Sequence, residues 1–331
     1  MWWMFIVLPV LVLIFGVLLE YILRKISARI QFRIGPMFIV YSDLRSIFGL
    51  TRVFQALYDV LKLFYKETIV PKTAHKFLFI SSPIISLTCL LISSYFLSYF
   101  GFSPLGSHEA SIEFIIYLIV SGTFFLIVGG LSSGSPWGII GSKREIELFI
   151  LYEFALISSV SSIAILVGSF STFKIVNVQV EYYPFILLNP FAAITLILAI
   201  IGKLHLNPFE IPEANVEVVA GQFSEYSGKL LALVIMFRYV LMSILSILFV
   251  DLFLSGGIVI KTASILSIII NFVVFVILCI LVVVVASLIH LLTSRFRIDQ
   301  AFSWSIKFLL PLSIWSIIFS FIIRGVMLGG M

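Results

Sequence analysis

The chain is predicted to be an all-α integral membrane protein, because its composition and its long apolar runs fit no soluble class. Of its 331 residues, 61% are hydrophobic and only 11% are charged, whereas soluble domains carry about 25% charged residues. The mean hydropathy is +1.22. A helix needs roughly 20 mainly apolar residues to cross a bilayer. Eight runs approach that length within one polytopic membrane domain, residues 1–331: Trp2–Leu23, Phe77–Phe100, Ile112–Leu131, Ile146–Val167, Phe185–Gly202, Leu230–Leu254, Ala263–Leu291 and Ile306–Ile323.

The lysines and arginines predict how these spans are oriented. The segment after the first span is rich in both, and the segments after the third, fifth and seventh spans also carry them. On the other side, only Lys174, Lys261 and Arg324 lie outside the spans. Because short basic loops stay on the cytoplasmic side, the basic segments are expected in the cytoplasm or matrix and both termini are expected outside.

The first basic loop contains a segment with helical periodicity, Phe54–Lys66. Its apolar residues Phe54, Leu57, Leu61 and Phe64 recur at the spacing of one helix face. The pattern predicts an amphipathic helix lying at the membrane surface. A solvated linker helix is the alternative.

An acidic segment between the fifth and sixth spans is the most informative feature of the chain. It runs from residue 207 to 228 and contains Glu210, Glu213, Glu217 and Glu225, four of the sixteen acidic residues. If it is helical, the first three glutamates share one face. Like charges on one face raise each other's pKa, so such a row could hold and pass protons. A solvated acidic loop joining two spans is the alternative.

A second acidic cluster begins the fourth span. Glu145 and Glu153 are eight residues apart and therefore fall on roughly one face of a helix. Glu153 lies inside the apolar run, where an unpaired carboxylate is costly. We interpret Glu153 as part of a proton or cation relay. Structural pairing with Arg144 is the alternative for Glu145, and it is the favoured interpretation for Glu147.

Other charged residues are expected to support these acids. Lys203 and His205 flank the acidic segment and are predicted to pair with its glutamates, although a lone His205 is more often a satisfied polar residue than a ligand. Arg238 lies inside the sixth span and needs a counter-charge from a neighbouring element. Asp299 is expected to be the local partner of the two arginines that precede it.

Several chemistries are excluded by what the motifs lack. Cys89 and Cys279 both lie in apolar runs, and no His/Cys spacing indicates a zinc or iron–sulfur site. There is no P-loop, nucleophile elbow or dinucleotide fingerprint. The net charge of +5 does not indicate nucleic-acid binding, because the basic residues cluster at membrane boundaries. We therefore expect no cofactor bound by this chain, and an ion path coupled to something docked on the charged face.

The chain resembles a known family over nearly its whole length. The matching motifs occur in the family's order and include Arg24-Lys25, Gln31-Phe32-Arg33-Ile34-Gly35-Pro36, Gln55 to Glu67, Arg144, Tyr152-Glu153, Pro208-Phe209-Glu210 with Glu213, Glu217-Val218-Val219-Ala220-Gly221, Glu225-Tyr226-Ser227-Gly228 and Arg295-Phe296-Arg297-Ile298-Asp299-Gln300. These are similar to the H-type membrane subunit of respiratory complex I, called subunit 1 in mitochondria. They also resemble the membrane anchors of group 4 membrane-bound nickel–iron hydrogenases, formate hydrogenlyase and related archaeal complexes.

The resemblance implies eight spans and a role at the junction of a redox-driven ion pump. Peripheral iron–sulfur and hydrogenase-like subunits would dock on the cytoplasmic face, and antiporter-like subunits would adjoin it in the membrane. Iron–sulfur clusters and a [NiFe] centre would belong to those partners, not to this chain. By the same resemblance, the ion path would comprise Glu145, Glu153, Glu210, Glu213, Glu217 and Glu225, with Asp59, Arg144, Lys203, Arg238 and Asp299 as supporting charges.

The details favour the hydrogenase or archaeal branch. Arg144-Glu145 and the stretch from Ile211 to Ala214 resemble that branch, and Lys203 stands where complex I usually has an acid. A quinone-chamber subunit of complex I is the runner-up, followed by a stand-alone secondary transporter and a purely structural scaffold. The expected location is an energy-converting membrane: the prokaryotic cell membrane or, alternatively, the inner mitochondrial membrane.

Overall fold

The computed structural model describes residues 4–33, 35, 55–99, 102, 104–261 and 264–329. In these ranges the protein is all-α, and the only β pairing is an isolated bridge between Tyr99 and Phe102. The helices are α1 (Met4–Ile30), α2 (Gln55–Tyr65), α3 (Lys76–Ser93), α4 (Ser111–Leu131), α5 (Pro136–Val167), α6 (Thr172–Glu181), α7 (Phe185–Leu188), α8 (Pro190–Lys203), α9 (Asn215–Val218), α10 (Gly228–Phe253), α11 (Ile265–Leu292), α12 (Ile298–Trp304) and α13 (Leu310–Gly329). The predicted all-α membrane fold is confirmed.

Among the described residues, seven helical segments are long and apolar enough to cross a membrane. The eighth predicted span, Phe185–Gly202, is divided into α7 and the 14-residue α8. Pro190 begins α8 and cannot donate the N–H that would continue α7 into it. Asn189 caps the new helix through its side chain and also donates to Ser316 O at 3.0 Å and Ser320 Oγ at 2.8 Å. The break is therefore stabilised by α13.

Helix α5 begins ten residues before the predicted start of the fourth span, at Pro136 rather than Ile146. Proline is well suited to a first helical turn, because its missing N–H has no intrahelical partner there. The charged run that includes Arg144 and Glu145 is consequently helical, and it extends the membrane helix toward the acidic segment.

Helix α10 forms the centre of the bundle and packs against α1, α2, α3 and α11. Within its apolar stretch 78% of the residues are buried, the largest share of the seven spans. Gly16 allows α1 to approach closely, since a Cβ at this position would collide with the backbone carbonyl of Tyr239.

The helix predicted in the first loop is present as α2, although a different face is buried, and its place at the membrane surface stays a prediction. Ala56 and Val60 are the buried residues and pack in a cluster with Val17 and Tyr239. Leu61 and Phe64 of the predicted apolar face are exposed. Residue 54 and the segment 36–53 before it lie outside the described residues.

The acidic segment is not a continuous helix, so the expectation that Glu210, Glu213 and Glu217 share one helical face is wrong. Its helical parts are the four-residue α9 and a short 3-10 turn, Gly221–Ser224. Prolines at 208 and 212 interrupt helical hydrogen bonding. The segment instead folds onto α5, where a Cβ on Gly141 would lie 2.8 Å from Gly221 Cα.

Candidate functional site

The innermost charged pair joins α5 to α8. Lys203 Nζ lies 2.5 Å from Glu153 Oε1, and the two side chains are 3% and 8% exposed. The Thr123 hydroxyl also donates to Glu153 Oε1 at 3.4 Å, while Glu153 Oε2 is buried without a hydrogen-bond partner. The prediction that Lys203 pairs with the acidic segment is therefore wrong, because its partner lies on α5.

A second group of charges lies at the end of α8, where His205 bridges two glutamates. Its Nδ1 is 2.6 Å from Glu213 Oε1 and its Nε2 is 3.5 Å from Glu145 Oε1. Arg238 Nη1 binds the other oxygen of Glu213 at 2.9 Å, and Gln222 donates to Glu145 Oε2 at 2.9 Å. The group thus combines α5, α10 and the acidic segment.

A cavity of about 30 Å³ connects these two groups. Glu145, Glu153, Lys203 and His205 all line it. A water needs about 10–15 Å³ of such space and two to four polar partners. The cavity meets both conditions, so there is room for one or two waters between the groups.

Glu217 lies toward the solvent and is held by two arginines. Arg144 Nη1 lies 2.6 Å from Glu217 Oε2, and Arg295 Nη2 lies 2.7 Å from Glu217 Oε1. Since Arg144 precedes Glu145 on α5, this exposed clamp borders the buried group. Asp299 is exposed in the first turn of α12 and pairs with no arginine among the described residues, contrary to the expectation for it.

Two of the predicted path residues stand apart from these ion pairs. Within the described ranges, neither Glu210 nor Glu225 forms a salt bridge. Both side chains are partly buried. Glu210 interacts electrostatically with the nearby Glu213 and Arg238. Glu225 lies against α5, where a Cβ added at Gly138 would be 3.2 Å from its Cγ.

A separate polar group ties α1 to α2 and α10. Arg24 binds Glu20 at 2.8 Å through Nε, Asp59 at 3.1 Å through Nη1, and the Tyr239 hydroxyl at 3.2 Å through Nη2. Tyr239 is adjacent in sequence to Arg238 of the buried group. Asp59 is therefore a structural partner of Arg24, and the arginine uses all three of its nitrogens in these contacts.

The pKa values in the acidic segment follow from these contacts. Burial opposes charge on His205, but the nearby Glu145 and Glu213 outweigh it and raise the pKa of the imidazole. Burial would raise the pKa of Glu213, yet Arg238 and His205 reverse that and lower it. Burial and the neighbouring Glu213 raise the pKa of Glu210. The hydrogen bond from Arg144 lowers the pKa of Glu217.

Sequence reasoning did not assign site roles to Glu20, Thr123 or Gln222. The i, i+4 spacing of Glu20 and Arg24 was a readable signal for their pairing. No local pattern indicated the other two, because their partners lie 30 and 77 positions away in the chain. In the described parts of the chain, no three His, Cys, Asp or Glu side chains cluster as metal ligands do.

Fold and site together define an α-helical integral membrane protein with a buried network of acids and bases reaching from one surface into the bundle. The chain belongs to the NADH dehydrogenase family, whose model matches residues 3–321. It is 31% identical over 316 residues to the H-type subunit of the NADH-quinone oxidoreductase of Geobacillus kaustophilus, covering 94% of this chain and 89% of that one. The corresponding chain of Bacillus mycoides is also 31% identical, over 315 residues, with the same shares covered. The resemblance to the H-type family is confirmed.

A solved structure has the same fold. It is that of the membrane-bound sulfane sulfur reductase, an archaeal respiratory membrane complex. The TM-score is 0.81 with 22% sequence identity, and the match covers 96% of this chain and 99% of that chain. At this identity the likeness establishes the fold alone.

Proposed function

We propose that this chain is the membrane anchor of a multisubunit, redox-driven ion-pumping complex, of the group 4 membrane-bound hydrogenase or related archaeal kind. It contributes no catalytic centre of its own to that oxidoreductase. Peripheral iron–sulfur and hydrogenase-like subunits dock on its cytoplasmic face, antiporter-like subunits adjoin it in the membrane, and lipid covers the rest. The relatives from NADH-quinone oxidoreductases support the coarser part of this proposal.

The observation that supports the ion path is a series of acids and bases that runs from the exposed surface into the buried part of the bundle. It begins at the exposed Glu217–Arg144 pair, continues through Glu213, His205 and Glu145, and ends at the Lys203–Glu153 pair. Ionisable groups are expensive inside a membrane and are by default functional there. We therefore assign the ion path to these glutamates, with Glu210 and Glu225 at its margins.

The mechanism is electrostatic. Electron transfer in a docked subunit changes the charge near the acidic segment. That change alters the proton affinity of the buried carboxylates, because charges in a medium of low dielectric interact strongly. Protons then move along the series toward the adjoining membrane subunits. This chain supplies the positions of the protonatable groups and the water-sized cavity between them.

A quinone-chamber subunit of NADH-quinone oxidoreductase is the second candidate, favoured by the names of the similar chains. Its chamber would need groups near Arg24, Asp59 and the acidic segment that are free to bind a quinone head group. The three nitrogens of Arg24 are already hydrogen-bonded to Glu20, Asp59 and Tyr239. Three of the five N–H groups of its guanidinium are thus used within the chain, and we derive no step through a quinone.

The first experiment is isolation of the native complex in mild detergent, with mass spectrometry of the co-purifying subunits and metal analysis. Nickel, iron and antiporter-like subunits are expected. Iron–sulfur subunits without nickel would shift the conclusion to quinone or sulfur reduction, which an electron-acceptor assay separates. Finding no redox partner would contradict the proposal and favour a stand-alone transporter.

The ion path itself is tested by amide substitutions in the reconstituted complex. Glu145→Gln and Glu153→Gln are expected to lower ion uptake per electron. Glu147→Gln is the matched control, because Glu147 is exposed on the same helix. Unchanged ion uptake per electron in both path variants would contradict the assignment of the ion path. The chain would then be a structural scaffold.

A further inference from the structure

We infer that His205 is the proton-carrying link between Glu213 and Glu145, so that the path runs through an imidazole rather than through glutamates alone. This inference rests on the proposed function and adds a residue to which the resemblance assigned no role. It is carried by geometry, since the two ring nitrogens of His205 face carboxylates from two different parts of the chain. Nδ1 faces Glu213 of the acidic segment and Nε2 faces Glu145 of α5.

The distances suit a relay with one close and one adjustable contact. Nδ1 to Glu213 Oε1 is 2.6 Å, a direct hydrogen bond. The distance from Nε2 to Glu145 Oε1 is 3.5 Å, which is too long for direct proton transfer. His205 and Glu145 line the same small cavity, so a bridging water or a slight ring movement closes this gap.

The charge balance singles out the same residue. If the buried carboxylates of Glu145, Glu153 and Glu213 are ionised, they contribute −3, and Lys203 and Arg238 contribute +2. The sum is −1 with a neutral imidazole and 0 with a protonated one. Histidine is the side chain whose ordinary pKa lies closest to neutral pH. Its protonation therefore sets the charge of the whole group.

The proton transfer balances without another reactant. A proton on Glu213 moves to Nδ1 while the proton on Nε2 moves to Glu145, so one proton is transferred and the ring changes tautomer. Rotation of the ring, which turns the protonated nitrogen toward Glu145 again, prepares the next transfer, whereas return of the proton by the same route would cancel it. The groups that face the imidazole and set its proton affinity are Glu145 on α5, Glu210 and Glu213 in the acidic segment, and Arg238 on α10. Lys203 at the end of α8 lines the same cavity.

The test uses the complete complex reconstituted in vesicles, measuring electron transfer and proton uptake together. His205→Gln retains a hydrogen-bonding side chain but cannot carry a proton. It is expected to slow proton uptake about 10²-fold while electron transfer and subunit content persist. His108→Gln is the control, because His108 is exposed and does not line the cavity. Free imidazole is expected to restore uptake to His205→Ala, which a purely structural role would not allow.

The outcomes distinguish failure of the proposed function from failure of the His205 relay. If the wild-type complex transfers electrons without moving protons, the proposed function fails and the relay with it. If the wild type pumps and Glu153→Gln does not, but His205→Gln pumps normally, the relay is overturned and the proposed function stands. If His205→Gln fails to assemble, the His205→Ala complex with and without imidazole decides, and no rescue would overturn the relay.

Discussion

Lys203 Nζ and Glu153 Oε1 are 2.5 Å apart in a part of the bundle where both side chains are almost fully buried. Removing one member of such a pair leaves an uncompensated buried charge, which costs about 3–5 kcal/mol. We predict that Glu153→Leu and Lys203→Met each strongly destabilise the protein. The double variant should lose much less than the sum of the two, because neither charge is then left alone.

Thermal unfolding of the detergent-solubilised complex measures this coupling. Conservative substitution of the exposed Glu147 and Lys143 provides a matched pair of controls on α5, for which additive and small effects are expected. Strict additivity of the two buried substitutions would mean that the ion pair contributes nothing to stability.

The ion pairs of Glu217 with Arg144 and Arg295 are predicted to weaken with acid and with salt. The pKa of Glu217 is lowered in the folded protein, so these pairs stabilise the fold fully at pH values above the unfolded pKa of about 4.3. The contribution is lost as pH falls through the lower folded value. Because Glu217 is 45% exposed, salt screens the pairs and the effect on global stability is small.

Hydrogen exchange of the 215–225 backbone is the appropriate measurement for this clamp. Exchange should increase in Glu217→Gln and, in the wild type, with increasing salt. Asp299→Asn is the control, because Asp299 is exposed four residues after Arg295 but joins none of the described ion pairs. Equal protection in all conditions would show that the arginines do not hold the segment.

Gly16→Ala is predicted to separate α1 from α10. The added methyl group would collide with the backbone carbonyl of Tyr239, and overpacking of this kind costs about 1–3 kcal/mol. Gly325→Ala is the control, since nothing lies within 4 Å of a Cβ added there. On helix propensity alone, it should stabilise by roughly 0.5–1 kcal/mol. A lower melting temperature for Gly16→Ala, without any decrease for Gly325→Ala, would agree with the prediction. Equal melting temperatures of the two variants would contradict it.

Asp251→Ala is predicted to be more destabilising than Asp251→Asn. Asp251 is fully buried near the end of α10, and its Oδ2 accepts a hydrogen bond from the Ser98 backbone N–H at 2.9 Å. Alanine would leave that buried N–H without an acceptor, at a cost of about 1–3 kcal/mol, whereas the asparagine amide still offers an oxygen. Thermal unfolding of the two variants decides, and equal loss would exclude the hydrogen bond as the cause.

Most of the membrane helices could be predicted from hydropathy. A segment in lipid must satisfy its own backbone hydrogen bonds, so a long apolar run has to be helical. The expectation that Glu145 and Glu153 share a face of α5 followed from helical periodicity, and both are buried beside one cavity. The break in the helix at Asn189 was not predicted, because hydropathy does not distinguish a capping asparagine within an apolar run. The prediction that three glutamates share one helical face was wrong, because Pro208 and Pro212 interrupt the helix and the segment folds back.

The partner of Lys203 and the link from His205 to Glu145 could not have been read from local patterns. Lys203 reaches Glu153, 50 positions earlier in the chain, rather than the nearby acidic segment. Such a pairing depends on how α5 and α8 cross, which is decided by packing across the bundle. The orientation of the termini and the extent of the single domain remain predictions.

The close approach of Gly141 and Gly221 has a mechanical consequence. At this contact no side chain lies between α5 and the acidic segment, so a displacement of the segment is passed directly to the helix, since packed protein interiors transmit strain. A partner that pushes on the segment would therefore shift α5 as a whole. Glu145 and Glu153, fixed two turns apart on that helix, would move together against Lys203 and His205, so force as well as charge could reset the spacing of the network.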